Sequence, residues 1–209
     1  MAEAARSAGR EATDITLVAV SKRQSDARID AALAAGQRVF GENRVQEAQQ
    51  HWTPRRARHG DLELRLIGPL QTNKAGEAVA LFDVIETLDR EKLAKALRKA
   101  MDEQGRSLRL YVQVNTGEEV QKAGIAPAEL PDFLARMREI YRFDIEGLMC
   151  IPPVEEPAGL HFALLAKLAR ENGVPCLSMG MSADYETAIA LGATSVRIGT
   201  GFFGEREDF

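Results

Sequence analysis

The sequence lacks what several protein classes require. Its two cysteines, Cys150 and Cys176, lie far apart with no metal-binding spacing, which excludes a disulfide framework and favours a reducing compartment. No stretch reaches the ~18 uninterrupted apolar residues of a membrane helix. Residues 1–10 carry charges and have no apolar signal-peptide core. We therefore expect a cytoplasmic protein that has no membrane partner.

The sequence also lacks a large excess of positive or negative charge. The 209 residues include 27 Lys and Arg and 31 Asp and Glu, for a net charge of −4. This balance gives no bulk electrostatic attraction to nucleic acid. Hydrophobic residues make up 45% and charged residues 28%, as in globular chains. No linker-like or low-complexity segment divides the sequence, so we expect one domain over residues 1–209.

Short apolar strands alternate with helical patterns along the whole chain. The predicted strands are 15–20, 39–40, 64–67, 82–85, 108–114, 145–149, 175–178 and 195–198. The predicted helices are 25–35, 43–50, 74–81, 89–103, 127–140, 157–171 and 182–191, with a solvated basic turn at 55–58. This alternation predicts an α/β fold, a single (β/α)8 TIM-type barrel. An open doubly wound sheet is the alternative, but no Gly-x-Gly-x-x-Gly fingerprint follows the first strand.

The active site of such a barrel lies at the carboxyl ends of its strands. Lys22 directly follows the first predicted strand. Apolar surroundings there would disfavour the charged ammonium and lower its pKa. A neutral lysine amine attacks an aldehyde and forms an imine. The alternative is an ordinary strand-end lysine in water, because most lysines are exposed.

Two loops that follow the last strands are suited to bind a phosphate group. The segment from Ser178 to Ser182 precedes a predicted helix, with Ser182 as its N-cap, and helix N-termini bind anions. Gly199 and Thr200 offer close backbone approach and a hydroxyl. Each loop alone is consistent with a tight turn and a cap. Together with Lys22, the two loops predict a phosphorylated aldehyde cofactor, for which pyridoxal 5′-phosphate is the obvious candidate.

Arg197 shares a strand face with Gly199, two residues later. A guanidinium inside a barrel needs an acceptor, and a pyridine nitrogen would serve. Because arginine stays protonated, it donates a hydrogen bond without protonating the ring. Such a site would stabilise a substrate carbanion only weakly. The alternative is a buried ion pair of Arg197 with Glu146 or Glu42.

Other strand-end residues have weaker assignments. Asn43 and Asn115 carry side-chain amides, which we expect to contact the hydroxyl of the cofactor ring or a nearby water. For Asn115 a turn-forming role is favoured. Met149 faces the expected site, and a core methionine is the alternative. The two cysteines are interpreted as inert thiols. Surface or helix positions without ligand spacing are predicted for the histidines His51, His59 and His161.

Six short motifs occur in the order found in the pyridoxal phosphate homeostasis proteins, which the chain resembles over nearly its whole length. They are LVAVSK (17–22), FGENRVQE (40–47), IGPLQTNK (67–74), GLM (147–149), LSMGMS (177–182) and VRIGT (196–200). The resemblance implies a barrel related to the N-terminal domain of alanine racemase. The roles that it implies are an imine at Lys22, a pyridine-nitrogen partner in Arg197, phosphate contacts from Ser182, Gly199 and Thr200, and ring contacts from Asn43 and Met149.

The sequence departs from the family pattern at three points. Leu64-Arg65-Leu66 stands where the family carries an aromatic residue, histidine and phenylalanine. Only residues 1–7 precede the segment 8–10, where the family has a full helix. The chain ends soon after Gly204, so we expect no racemase-type C-terminal β-domain. Lys122 matches a family loop lysine associated with cofactor transfer.

The resemblance implies a protein that binds pyridoxal 5′-phosphate, with no accepted reaction, and that influences vitamin B6 balance. We expect it to hold the cofactor as a lysine imine, to buffer its concentration and to deliver it to apo-enzymes. A slow enzyme acting on amino acids is the alternative, and a purely structural protein is a distant third. Racemisation needs an acid–base group on each face of the substrate carbon. Lys22 supplies one, and in the alanine racemases the other comes from the second domain, which we expect to be missing. We therefore expect no efficient turnover.

Overall fold

Eight parallel strands form a closed barrel in the computed structural model, which describes residues 1–205. The strands follow one another around the barrel in chain order. The last strand closes on the first, with Thr16 opposite Ser195 and Ala19 opposite Ile198. The predicted (β/α)8 barrel is therefore confirmed.

The strands place the functional loops at one end of the barrel. They are β1 Thr16–Val20, β2 Val39–Glu42, β3 Glu63–Leu66, β4 Val84–Leu88, β5 Arg109–Gln113, β6 Ile145–Met149, β7 Cys176–Ser178 and β8 Ser195–Ile198. Strands β6 and β8 have the predicted bounds. Strand β4 begins two residues later than predicted, because Phe82 caps the preceding helix with a buried ring. The Asp83 carboxylate then accepts the Leu64 N–H at 2.8 Å.

Helices cover the outside of the barrel. They are α1 Ala2–Ser7, α2 Asp26–Ala34, α3 Val45–Arg56, α4 Ala75–Leu81, α5 Glu91–Gln104, α6 Leu130–Glu139, α7 Ala158–Glu171, α8 Tyr185–Ala190 and α9 Thr200–Phe203. Helix α5 buries Leu93, Leu97 and Met101 at helical spacing and ends at Gly105, whose φ of 62° is left-handed. None of the described helices is long and apolar enough to cross a membrane.

The predicted basic turn at 55–58 holds only for the exposed residues 57–58 and is wrong for Arg55 and Arg56, because α3 continues to Arg56 and Arg55 is buried. The Arg55 guanidinium lies 2.8 Å from Asp30 and 2.9 Å from Asp26, both on α2. These carboxylates satisfy a buried charge that the local sequence predicts to be in water.

The predicted start of the helix at Ser182 is also wrong. Helix α8 begins at Tyr185, and Asp184 is its N-cap. The Asp184 carboxylate accepts the Met181 N–H at 2.6 Å, which holds the preceding residues in a turn.

Two sets of buried side chains lie on the two faces of the barrel strands. The outer set packs against the helices and includes Phe40 and Trp52, whose ring centroids are 4.5 Å apart. The inner set contains a cluster of Val84, Tyr111 and Met149. Polar buried residues lie with this inner set, so the barrel interior is only partly apolar.

Candidate functional site

Lys22 lies half-buried in the turn after β1, as predicted for a strand-end lysine. The residues on both sides of it are anchored to carboxylates. Ser21 Oγ donates to Glu42 Oε1 at 2.7 Å, and the Arg23 N–H donates to Glu47. Arg23 has a left-handed φ of 57°, which reverses the chain after the lysine. The backbone that carries Lys22 is therefore held in place on both sides.

Glu42 is a buried carboxylate behind this turn. Its Oε1 also accepts from Trp52 Nε1 at 3.0 Å and lies 3.0 Å from His51 Nδ1. The hydrogen bond to Glu42 raises the pKa of His51. Ligand atoms of Glu42, Glu47 and His51 lie within 4.8 Å of one another. The sequence prediction missed this group because the predicted helix ended at residue 50, before His51.

Arg197 is buried on β8 and makes two hydrogen bonds inside the barrel. Its Nη1 donates to Ser178 Oγ at 2.7 Å, and its Nη2 donates to the Cys150 carbonyl at 2.8 Å. The predicted alternative partners bond elsewhere. Glu146 accepts from the Tyr111 hydroxyl at 2.9 Å, and Glu42 holds the Lys22 turn. The alternative of an ion pair with either carboxylate is therefore wrong.

Glu86 and Arg65 extend the contacts of Ser178 across the barrel. The Ser178 hydroxyl donates to Glu86 Oε2 at 2.6 Å, and Arg65 Nη1 donates to Glu86 Oε1 at 3.0 Å. Burial opposes the charge of Arg65, but Glu86 and Glu63 outweigh it and raise the pKa of the guanidinium. The sequence prediction missed Glu86 because the predicted strand ended at residue 85.

The cysteines and Met149 line or flank the interior without reactive chemistry. Burial raises the pKa of the Cys150 thiol to about 12, which keeps it protonated and confirms an inert thiol. Cys176 is half-buried and unpaired with Cys150. Met149 packs with Tyr111 and Val84, so it has the core contacts of the alternative interpretation.

The two predicted phosphate loops meet at the carboxyl ends of β7 and β8. The Gly201 N–H donates to Ser182 Oγ at 3.2 Å, and the Arg197 N–H donates to the Gly180 carbonyl at 2.9 Å. Gly180 has φ 94°, and a Cβ there would lie 2.6 Å from the Ala188 Cβ. Helix α9 begins at Thr200, with Gly199 as its N-cap. The structure thus brings Ser182, Gly199 and Thr200 together.

The remaining predicted residues lie in neighbouring loops. Asn43 is half-buried, and a Cβ at Gly68 would be 2.3 Å from the Asn43 carbonyl oxygen, so the β3 loop fixes its backbone. The Asn115 side chain donates to the Glu119 carbonyl at 2.9 Å, which is the turn role predicted for it. Lys122 Nζ lies 2.5 Å from Glu119 and 3.5 Å from the Pro152 carbonyl.

Comparison with known proteins identifies the family. Residues 2–207 match the family described as "Alanine racemase, N-terminal domain". The pyridoxal phosphate homeostasis protein of Pseudomonas aeruginosa is 41% identical over 212 residues, which cover 98% of this chain and 90% of that protein. The PipY protein of Synechococcus elongatus, solved with pyridoxal phosphate bound, is 39% identical with a TM-score of 0.83, and the match covers 97% of this chain and 99% of that one.

A more distant structure shares the fold alone. Alanine racemase of Clostridium difficile has a TM-score of 0.73 at 13% identity, and the match covers 93% of this chain and 53% of that one. The chain therefore belongs to the alanine racemase N-terminal domain family and, within it, to the pyridoxal phosphate homeostasis proteins.

Proposed function

We propose that this chain, acting over residues 1–209 as one barrel, binds pyridoxal 5′-phosphate, buffers its concentration and delivers it to apo-enzymes. One observation carries the proposal. The half-buried Lys22, the buried Arg197 and the two joined loops that follow β7 and β8 lie at the same end of one barrel. The PipY relative with pyridoxal phosphate bound supports the choice of cofactor.

The donors of this site fit a pyridine ring. An arginine carries five N–H donors, and the bonds to Ser178 and Cys150 use two of them. We propose that Arg197 donates another to the pyridine nitrogen, with Asn43 and Met149 beside the ring. Ser178 uses its hydroxyl on Glu86 and Arg197, so it acts on the cofactor through Arg197.

The joined loops fit a phosphate group. Ser182 and Thr200 supply hydroxyls, and Gly199 allows the backbone to approach an anion closely. Lys22 then holds the aldehyde as an imine, in a turn whose backbone is anchored through Ser21 and Arg23. When bound, the cofactor supplies a reactive aldehyde and an electron-accepting ring.

A carrier is favoured over an enzyme. Arg197 donates a hydrogen bond and keeps its proton, so the ring nitrogen stays unprotonated and the site stabilises a carbanion weakly. The relatives at 38–41% identity are called homeostasis proteins. The slow amino-acid enzyme remains the second candidate, because an amino acid that displaced Lys22 from the aldehyde would leave its amine free to act as a base.

Borohydride reduction tests the assignment of Lys22. Wild-type protein mixed with pyridoxal phosphate should show a visible imine band that borohydride fixes, and mass mapping should place the adduct on Lys22. Lys22→Ala should lose both signals because no amine remains at that position. Lys74→Ala is the matched control, since Lys74 pairs with Glu77 at the start of α4. An adduct on Lys74 or Lys122 in the wild type would show that the assignment is wrong.

A further inference from the structure

We propose that Glu86 and Arg65 are positioning residues that, through Ser178, fix the orientation of the Arg197 guanidinium at the cofactor site. This inference rests on the proposed function, because it takes Arg197 as the partner of the pyridine nitrogen. Four side chains form one continuous path of hydrogen bonds: Arg65 to Glu86 at 3.0 Å, Ser178 to Glu86 at 2.6 Å and Arg197 to Ser178 at 2.7 Å. All four are at most 4% exposed.

The chemistry of these groups allows one direction for each bond. A serine hydroxyl has a single proton, an ionised carboxylate only accepts, and a guanidinium only donates. Ser178 must therefore give its proton to Glu86 and present a lone pair to Arg197. With the Cys150 carbonyl as the second acceptor at 2.8 Å, both terminal nitrogens of Arg197 are held. The planar guanidinium then has one orientation, which also sets the direction of its other N–H groups.

Arg65 supplies the charge that this arrangement needs. A buried carboxylate is costly unless it is paired, and Glu86 is fully buried. Arg65 pairs with Glu86 and is itself held by Glu63 at 2.6 Å. Arg65 stands at one of the points where the sequence departs from its family. The contact network gives this departure a role, since Arg65 pairs with the same carboxylate that accepts the Ser178 hydrogen bond.

The barrel does not need this path of hydrogen bonds in order to close. Glu86 lies on β4 and Ser178 on β7, and these strands are not neighbours. Their bond therefore crosses the interior, while the strand ladder is complete without it. Well-packed apolar residues often stabilise an interior as well as buried ion pairs do. The path ends on Arg197, so its position indicates that it orients the Arg197 guanidinium and does not serve stability alone.

Cofactor binding to Ser178→Ala and Glu86→Gln tests the inference. Pyridoxal phosphate is titrated into each variant, and both the affinity and the pH midpoint of the bound cofactor's visible band are measured. Each variant should weaken binding by about tenfold, the effect of losing one hydrogen bond of ~1.4 kcal/mol. The midpoint should move upward, because a looser bond to the pyridine nitrogen withdraws less charge from the ring. The double variant should bind within about twofold of Ser178→Ala, because both changes act through one contact.

Thr194→Val is the matched control. Thr194 is a half-buried residue directly before β8, and its hydroxyl accepts from the Leu177 backbone N–H at 2.8 Å and donates to the Leu177 carbonyl at 3.2 Å, outside the path. It should keep wild-type affinity and midpoint. Wild-type behaviour of Ser178→Ala, or fully additive losses in the double variant, would overturn the inference and leave the proposed function standing. A wild-type protein that does not bind the cofactor would overturn the proposed function itself. If Glu86→Gln fails to fold, the result for Ser178→Ala tests the inference by itself, because that variant removes only one hydroxyl.

Discussion

Glu42 is buried at the end of β2, and its two carboxylate oxygens have different surroundings. Oε1 is in contact with Ser21, Trp52 and His51, whereas Oε2 has no hydrogen-bond partner within residues 1–205. A carboxylate in this position is stabilised when a neighbouring group carries positive charge. His51 is the titratable neighbour in direct contact. The charge of one histidine therefore bears on the turn that carries Lys22.

This contact predicts a pH-dependent contribution of His51 to stability. Its pKa in the folded protein is raised above the unfolded value of about 6.5 by the hydrogen bond to Glu42. Stabilisation is therefore complete below the unfolded pKa and is lost as pH rises through the folded pKa. Urea unfolding should show His51→Gln less stable than wild type by roughly 1 kcal/mol near pH 5.5, and by much less near pH 9. His59→Gln is the control, and a deficit that stays constant over this pH range would contradict the prediction.

The sequence located some of the site residues and missed others for a physical reason. Lys22 could be placed because it follows an apolar strand, and Arg197 because it lies one residue before the end of β8. The carboxyl ends of parallel strands lie at the same end of a barrel. Glu86 accepts a hydrogen bond from Ser178, and this contact joins β4 to β7 across the interior. Local periodicity contains no information about such a contact, so the partner of a buried polar group was found only in the structure.

At the scale of elements, Arg55 connects α3 to α2. Its side chain is 4% exposed and contacts Asp26, Asp30 and the His51 carbonyl. Asp30 has a lowered pKa because of its hydrogen bond to Arg55. Helix α2 begins shortly after the Lys22 turn, and Glu47 of α3 accepts from the Arg23 N–H, so these ion pairs connect two helices that adjoin the turn.

Replacement of Arg55 should therefore be costly. Arg55→Leu removes hydrogen bonds between charged groups, and we expect a loss of about 2 kcal/mol in the free energy of unfolding. Arg58→Leu is the matched control beyond the end of the same helix, where the arginine is exposed, and it should change stability by less than about 0.5 kcal/mol. Equal losses in the two variants, measured by urea unfolding at pH 7, would show that the ion pairs of the buried Arg55 do not add to stability.

Element bounds were predictable where the pattern is local. Strands β6 and β8 have the predicted bounds because residues that favour turns limit them, Asp144 before β6 and Gly199 after β8. The start of α8 was missed because Ser182 and Asp184 are both good N-cap residues. The Asp184 carboxylate holds the Met181 N–H, which leaves Ser182 to bond with Gly201. Which of Ser182 and Asp184 caps the helix therefore depends on the contact of Ser182 with Gly201 in the loop after β8.

For the whole molecule, alternating strand and helix patterns were enough to predict the barrel, because parallel strands with crossover helices have few closed arrangements. The interior was not predictable from the same patterns. Charged residues of β3, β4 and β8 meet there, and the sequence of each strand does not show which partner its charged residue contacts. On the proposed function, these charged contacts are what orient the cofactor's arginine partner in the interior.

The orientation of Arg197 predicts the catalytic limit of the molecule. Arg197 is held by Ser178 and Cys150. If it donates to the pyridine nitrogen as we propose, it retains its proton, and removal of a substrate α-proton gains little stabilisation. Protein saturated with pyridoxal phosphate should exchange the α-proton of L-alanine in deuterated water more slowly than about one per second. NMR follows the exchange, and Lys22→Ala with the same cofactor concentration gives the background. Exchange at or above that rate, dependent on Lys22, would favour the slow enzyme over the carrier.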